Sequence, residues 1–415
     1  MRLFNHSKFY ITLVGLLTFF YALLIFSYPA SFFNDDSLFL TNGIIEFSVV
    51  DFSPHFPGYV SLVLLAKFLN FFLQDAKLSL FVLTATCSVL LPLVLFLYIK
   101  KLQNEKTAFV VFILTLSSPY LMNLSLSMMS DSVGLFFFFL SLYFLELKKE
   151  KTAGVILAIS FFARPSYIVF FLVGIVFLWI YKRDSFKRVL SSFLISASLF
   201  LLYIFATNGM LFIYEGLRFL EGHFTLWGTG QNSSISWFSQ IFRYENLIFL
   251  FLIFFKYDKK YLLLYLLFIS YFIWIIFAQN SDSLRHIIPL IVLATIFLSF
   301  SIQKYKSIVI LLVFFNLFIV QSYKEKYSPI EQIIVELKDT NKLILSNRSV
   351  EILRENLDTK VFDAYYKDSL EYYMLHVDNC VITTTKIEDK IAKVYKARFI
   401  GEDDFYLYCS RSINN

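Results

Sequence analysis

The sequence is poor in the residues that a soluble protein of this size needs. Of its 415 residues only 16% are charged, and it has 12 glycines, 8 prolines and 3 cysteines. Soluble domains carry about 25% charged residues, so this chain has too little charge to cover a water-facing globule. The scarcity of cysteine excludes a disulfide scaffold, and the scarcity of glycine and proline excludes collagen-like or low-complexity chains.

The abundant residues are apolar and aromatic. Hydrophobic residues make up 58% of the chain, with 52 Phe and 26 Tyr, and the mean hydropathy is +0.66. Long apolar runs with few breaks predict an α-helical polytopic membrane protein. We place about eleven spans, near 9–29, 78–99, 107–124, 132–147, 152–163, 166–181, 189–207, 246–256, 261–278, 287–303 and 307–322.

The positive charges predict the orientation of these spans. With the N-terminus in the cytoplasm, 17 Lys and Arg fall in cytoplasmic segments, whereas the outer loops and spans before residue 323 hold only 6. This asymmetry is the positive-inside pattern of integral membrane proteins. The net charge of +6 therefore reflects topology and not a nucleic-acid partner. We interpret the first apolar run as a retained anchor in a multi-pass plasma (inner) membrane protein.

Residues 1–323 are predicted to form the transmembrane domain, with two long outer loops. The first loop, 30–77, contains two helical patterns, 36–48 and 57–73, that we expect at the membrane surface. The second loop, 208–245, contains His223 and Trp227.

Residues 324–415 are predicted to form a small α/β domain on the outer, extracytoplasmic face. The patterns at 341–346, 379–385, 393–400 and 405–409 indicate strands, and those at 347–356 and 366–376 indicate helices. Cys380 and Cys409 both lie here. They would pair if the outside is oxidising, and two buried free thiols are an equal alternative.

Polar residues collect at the predicted outer ends of the spans, namely Asp35, Asp36, His55, Asp131, Arg164, His223, Trp227, Arg285 and His286. Each has an ordinary structural explanation, because an acid can cap a helix and a cation can anchor a span at the interface. Convergence of acids and cations from five distant loops at one depth favours a functional site, since polar groups in apolar surroundings are costly.

This combination suits chemistry on a lipid-linked phosphate. A carboxylate can take the proton from an attacking hydroxyl, and Arg or His can neutralise a departing phosphate. The residues alone leave glycosyl, phosphoryl and acyl transfer open.

The ordered set of outer motifs resembles the GT-C glycosyltransferases, in particular enzymes related to protein O-mannosyltransferases and the aminoarabinose transferases of lipid A. The motifs are NDDSLFL at 34–40, HFPGYVSLVLLAKFL at 55–69, SMMSDSVGLFF at 127–137, ARPSY at 163–167, GHFTLWG at 222–228 and RHIIPL at 285–290. Phe56 stands where that family usually has a proline.

The resemblance implies an inverting transfer of sugar from a polyprenyl-phosphate donor to a glycan, lipid or protein acceptor outside the membrane. It implies that Asp35 or Asp36 is the general base, with Asp35 preferred, and that Asp131 is a supporting acid. Arg285, His286 and Arg164 would bind the donor phosphate, and His55, Tyr59, His223 and Trp227 would shape the pocket. Some members use a divalent metal, but no ligand cluster in this sequence predicts one.

Three other functions stay open from sequence. An O-antigen-type polysaccharide polymerase or ligase would use a lipid diphosphate, and the acidic pair after the first span argues against it. A lipid-linked-sugar transporter would need charges at mid-membrane. A receptor would leave the outer polar residues unexplained.

Overall fold

The computed structural model describes residues 6–227, 236–254, 257–302, 306–364, 379–387 and 391–409. It is mainly helical as far as residue 322, and a small sheet follows near the C-terminus. In the helical part the described residues form fifteen α-helices, whose bounds are α1 His6–Ile25, α2 Asp35–Ile45, α3 Val60–Leu73, α4 Ala76–Leu102, α5 Glu105–Ser117, α6 Pro119–Leu126, α7 Ser130–Glu146, α8 Glu150–Ala163, α9 Ile168–Tyr181, α10 Arg183–Asn208, α11 Leu211–Gly222, α12 Trp237–Ile241, α13 Leu262–Ala278, α14 Ile288–Ile302 and α15 Lys306–Ser322.

Short turns of other helix types connect several of these α-helices. A π-helical turn, His223–Trp227, continues α11, and the longest 3₁₀ segment is Tyr244–Phe254. Shorter 3₁₀ turns lie at Pro165–Tyr167, Lys259–Tyr261 and Leu284–Ile287.

Five of the described helices are long and apolar enough to cross a membrane, or six if α5 and α6 form one span. The five are Lys8–Ile25, Ala76–Leu102, Arg183–Asn208, Lys259–Ala278 and Leu284–Ser301. The chain is therefore a multi-pass membrane protein. Every predicted span coincides with a helical segment, but several are shorter than a span requires, so the number eleven stays a prediction.

The run expected at 107–124 is bent rather than continuous. Helix α5 ends at Ser117 and α6 begins at Pro119, with an angle of 64° between them. Proline lacks an amide hydrogen and disfavours a helical conformation in the residue before it, so Ser118 becomes extended.

The first outer loop contains the two helices predicted for it. Asn34 caps α2 through the Ser37 amide, and Ser37 bonds back to the backbone of Asn34, which fixes where the helix begins. Helix α3 begins at Val60, after the loop that carries His55. Gly43 of α2 packs on this loop so closely that a Cβ there would lie 2.6 Å from Cδ of Pro54.

The C-terminal domain combines helices α16 Pro329–Leu337 and α17 Val350–Asn356 with a five-stranded sheet. The strands are β1 Leu343–Ser346, β2 Val361–Asp363, β3 Asn379–Thr383, β4 Lys393–Tyr395 and β5 Phe405–Cys409, in the order β2-β1-β3-β5-β4. Strands β2, β1 and β3 are parallel, and β5 runs antiparallel to both β3 and β4.

The four predicted strands and the first predicted helix of this domain are present, whereas β2 was not predicted. The helix predicted at 366–376 lies outside the described residues. Cys380 and Cys409 face each other on β3 and β5 and form a disulfide, which resolves the alternative that the sequence left open.

Candidate functional site

The candidate site is assembled from the ends of helices that are distant in sequence. Asp36 lies in the first turn of α2, Asp131 in the first turn of α7, Arg164 directly after α8, and Arg285 in the 3₁₀ turn before α14. His55 lies in the loop four residues before Tyr59, which precedes α3. An acid in the first turn of a helix is favoured by the helix dipole, so both aspartates sit where a carboxylate is stable.

Asp36 and Arg285 form the first of two ion pairs. Nη2 of Arg285 donates to Oδ2 of Asp36 at 3.0 Å. Nδ1 of His55 lies 3.8 Å from the other carboxylate oxygen, and Nε2 of His55 lies 3.1 Å from the Tyr59 hydroxyl. The motifs NDDSLFL, HFPGY and RHIIPL thus meet at one carboxylate.

Arg164 and Asp131 form the second pair, and it is more deeply buried. Nη2 of Arg164 lies 3.1 Å from Oδ1 of Asp131, and both side chains are 4% exposed. Nη1 of Arg164 donates to Oγ of Ser130 at 3.1 Å. Gly134 permits the close packing of α7 on this turn, since a Cβ there would lie 2.6 Å from Cβ of Arg164.

Tyr59 lies between the two ion pairs. Burial is the largest influence on its hydroxyl and raises its pKa, and the charges of Arg164, Asp36, Arg285 and Asp131 all act on it as well. One phenol within electrostatic range of all four charges shows that the two pairs belong to one site.

The pKa values of Asp36 and His55 are both lower than usual. Burial alone would raise the pKa of Asp36, but the positive charges of a protonated His55 ring and of the Arg285 guanidinium outweigh it and hold that pKa below its ordinary value. Burial lowers the pKa of His55 more strongly than Asp36 raises it. Arg285 keeps its charge at every pH near neutrality, so it stabilises the Asp36 carboxylate whether or not His55 is protonated.

Buried polar atoms without a hydrogen-bond partner gather around both pairs. Within the described residues they are Nδ1 of His55, Oδ2 of Asp131, Nε of Arg164, the Tyr167 hydroxyl, and Nε and Nη1 of Arg285. Leaving a buried polar atom unpaired costs about 1–3 kcal/mol, so such atoms are rare in native proteins. Their concentration here is expected of a site that binds a polar ligand.

Asp35 occupies a different environment from Asp36. Its Oδ1 accepts hydrogen bonds from the backbone amides of Glu351 and Ile352, both at 3.1 Å, in the first turn of α17. Burial raises the pKa of Asp35 to about 6, although the bond from Ile352 opposes the shift. The preference for Asp35 as general base is therefore not what the geometry favours, because its carboxylate is engaged by the C-terminal domain.

His223 of the second loop is linked to His55 through the Phe219 ring, and His286 follows Arg285 in the turn before α14. The Phe219 ring stacks between His55 and His223, with ring centroids 5.6 and 6.5 Å apart, and Nε2 of His223 lies 3.0 Å from the Ala278 carbonyl oxygen. His286 is buried, and the Tyr271 hydroxyl donates to its backbone oxygen. Trp227 is the last described residue before the gap at 228–235, and the structure describes its backbone but not its side chain.

Sequence reasoning missed Tyr167, Ser130 and Phe219. Tyr167 belongs to the ARPSY turn and Ser130 precedes Asp131, so both were polar neighbours of residues already singled out. Phe219 carried no signal, because it is one phenylalanine among 52.

No group of three or more His, Cys, Asp or Glu suited to a metal ion occurs among the described residues.

Comparison with solved structures finds several that are similar to this chain. The crystal structure of the oligosaccharyltransferase of Archaeoglobus fulgidus in complex with zinc and sulfate aligns with 90% of this chain and 67% of its own, at 11% identity and a TM-score of 0.46. Similarity at this level supports no conclusion about this chain. No protein-family model and no curated protein match the sequence.

Proposed function

We propose that this protein is a membrane glycosyltransferase of the GT-C type. It moves a sugar from a polyprenyl-phosphate donor to a hydroxyl of a glycan, lipid or protein acceptor, with inversion at the anomeric carbon. The reaction takes place at the extracytoplasmic face of the plasma membrane, on the side of the C-terminal domain. The Cys380–Cys409 disulfide supports that location, since structural disulfides persist in oxidising compartments.

The proposal depends on the hydrogen bonds of the Arg285 guanidinium, of which one is made and two are left unmade. Its Nη2 contacts Asp36, whereas Nε and Nη1 are buried and unpaired among the described residues. A guanidinium presents donors in a planar fork that matches two phosphate oxygens. Nη1 lies beside Nη2 at the end of the guanidinium, so Arg285 can donate to a donor phosphate oxygen from Nη1 while Nη2 keeps its contact with the carboxylate.

In this arrangement the general base, Asp36, and the phosphate of the leaving group both contact the Arg285 guanidinium. Asp36 accepts the proton of the acceptor hydroxyl as its oxygen forms a bond to the anomeric carbon. The bond between that carbon and the phosphate oxygen breaks, and the polyprenyl phosphate leaves with both electrons of that bond. Arg285 stabilises the charge that the phosphate gains, and this stabilisation is larger in the transition state than in the bound donor.

His55 and the second ion pair have supporting roles in the proposal. His55 lies 3.8 Å from Asp36 and bonds to the Tyr59 hydroxyl, so it can help to orient the carboxylate. Arg164 lies within electrostatic range of Asp36 and His55 and has an unpaired Nε. It adds positive potential to the same pocket, and Asp131 holds it in place.

The test is transfer of label from a panel of undecaprenyl phosphates carrying radiolabelled hexoses or pentoses, incubated with purified protein and membrane extract. We expect label to appear in an acceptor fraction with wild type. Asp36→Asn should lower turnover by about 10²–10⁴, because it removes the proton acceptor.

Asp51→Asn is the matched control. Asp51 lies in the same outer loop, is exposed and accepts a hydrogen bond from Oγ of Ser48, so its replacement should leave turnover unchanged. Equal turnover of wild type and Asp36→Asn would refute the proposed mechanism. Absence of transfer with every donor would refute the proposed function.

A further inference from the structure

The segment that leads into Asp36 is held by the C-terminal domain at almost every residue. Glu331, in the first turn of α16, accepts hydrogen bonds from Oγ of Ser31 and from the backbone amide of Phe32, both at 2.9 Å. The Phe33 ring packs on Phe399 with centroids 5.6 Å apart. Asp35 then bonds to the first turn of α17, as described above.

Lys77 completes the hold on this segment from the helical bundle. Its Nζ lies 2.5 Å from Oε1 of Glu331 and 4.3 Å from the centre of the Phe32 ring. Glu331 therefore joins three parts of the chain, namely the segment 31–33, the start of α4 and the C-terminal domain.

Asp35 supplies what helix α17 otherwise lacks at its N-terminus. Ser349, the residue before α17, has a left-handed conformation and makes no side-chain cap bond within the part of the chain that the structure describes. The Asp35 carboxylate takes that role from another part of the molecule. A second bond, from Nδ2 of Asn42 to Oε1 of Glu355 at 2.9 Å, keeps α2 beside α17 along its length.

The same domain also contacts the element that carries Arg285. The Ile400 carbonyl accepts a bond from Nδ2 of Asn123 at 2.8 Å. Gly401 has a φ of +85°, and a Cβ there would lie 3.3 Å from Cβ of Leu284, the residue before Arg285. The domain thus contacts Asp35, the residue before Asp36, and Leu284, the residue before Arg285.

We infer that Glu331 and Asp35 are positioning residues for Asp36, and that the docked C-terminal domain sets the geometry of the Asp36–Arg285 pair. This inference rests on the proposed function. Neither residue touches substrate. Each holds the backbone that leads into Asp36. Asp36 can then reach Arg285 while Asp35 is held by α17.

The alanine variant Glu331→Ala, in full-length protein, tests this inference by two measurements. Amide hydrogen exchange over residues 31–38 should rise at least tenfold, whereas exchange in β1 and β3 stays unchanged. Turnover in the labelled-sugar assay should show kcat lowered about tenfold or more with KM for the donor changed less than threefold. Glu331→Gln keeps one acceptor oxygen for the Phe32 amide, and its amide nitrogen can donate to Oγ of Ser31, so it should restore most of kcat.

Glu336→Ala is the matched control, because Glu336 lies on the same helix and bonds to Lys393 and Tyr395 inside the domain. It should leave both measurements at wild-type values. Asp35→Ala should raise amide exchange at residues 31–38, as Glu331→Ala does. It should also raise exchange at residues 350–353, where Asp35 bonds to α17.

The outcomes separate this inference from the function on which it rests. If exchange rises in Glu331→Ala but kcat does not fall, while Asp36→Asn abolishes turnover, positioning is refuted and the proposed function stands. Unchanged exchange in Glu331→Ala also refutes positioning. If Asp36→Asn turns over normally, the proposed mechanism and the positioning role fail together. If wild type transfers no label from any donor, the proposed function fails.

Discussion

The contact between Arg285 and Asp36 predicts that one substitution will change both donor binding and the pH dependence of turnover. The positive charges of His55 and of Arg285 hold the pKa of Asp36 down, and replacing Arg285 by alanine removes one of them. A neighbouring arginine favours the ionised form of an aspartate, so its loss raises the pKa of the acid. Turnover requires ionised Asp36 and is lost as the pH falls through this pKa, so the acid limb of kcat/KM should move to higher pH in Arg285→Ala.

The same substitution also removes the phosphate contacts. Each charge-assisted hydrogen bond contributes about 1.5–3 kcal/mol, so loss of even one weakens the donor by roughly ten- to over a hundredfold. Undecaprenyl phosphate is the binding probe, measured by titration in detergent.

Arg285→Lys separates the two effects. Lysine keeps the positive charge beside Asp36 but lacks the planar fork. Its acid limb should stay near that of wild type, while binding of undecaprenyl phosphate falls about tenfold, a loss near 1.4 kcal/mol.

Arg218→Ala is the control for the loss of a cation from this region. Arg218 pairs with Glu215 on α11 and its side chain is 61% exposed, so neither measurement should change. An acid limb that does not move in Arg285→Ala would refute the electrostatic link between the two residues. Undiminished binding of undecaprenyl phosphate would remove Arg285 from the phosphate site.

Two further predictions concern stability and topology. Arg164→Ala leaves Asp131 buried without its cation and should destabilise the protein by about 3–5 kcal/mol. The apolar double variant Asp131→Leu/Arg164→Met should lose less stability. Thermal unfolding in detergent measures both losses, and an equal or larger loss in the double variant would contradict the ion-pair argument. The charge pattern predicts that a cysteine introduced at Ile391, which is 98% exposed, reacts with a membrane-impermeant maleimide added outside intact cells, whereas one at Lys187 does not. The reverse pattern of labelling would overturn the topology.

Much of the fold could be predicted from hydropathy alone. Each predicted apolar run overlaps helical structure, and the four strands predicted for the C-terminal domain are present. The bend at Ser118 and Pro119 could have been predicted as well, because the proline was visible inside a run that was interpreted as one span. Strand β2 could not, since three residues are too few to show a period.

The site was predictable as a set of residues but not as a set of pairs. Asp131, Arg164 and Arg285 stood out because ionic groups beside apolar runs need partners. Which acid faces Arg285 could not be read from adjacent aspartates. Side chains of neighbouring helical residues point about 100° apart, and the position of α17 determines which one is engaged by the C-terminal domain.

The bond from Glu351 to Asp35 joins residues separated by 316 positions in the chain. At a synthesis rate of about 5–20 residues per second, Asp35 is made roughly 15–60 s before Glu351 and Ile352, whose amides bond to it. The membrane-spanning helices can insert during that interval, but the segment before Asp36 has nothing to dock on until residues 331–352 have been made. The site can therefore mature only after those helices have been synthesised, and a ribosome that stops before residue 350 releases a chain with its apolar helices and an unfinished centre.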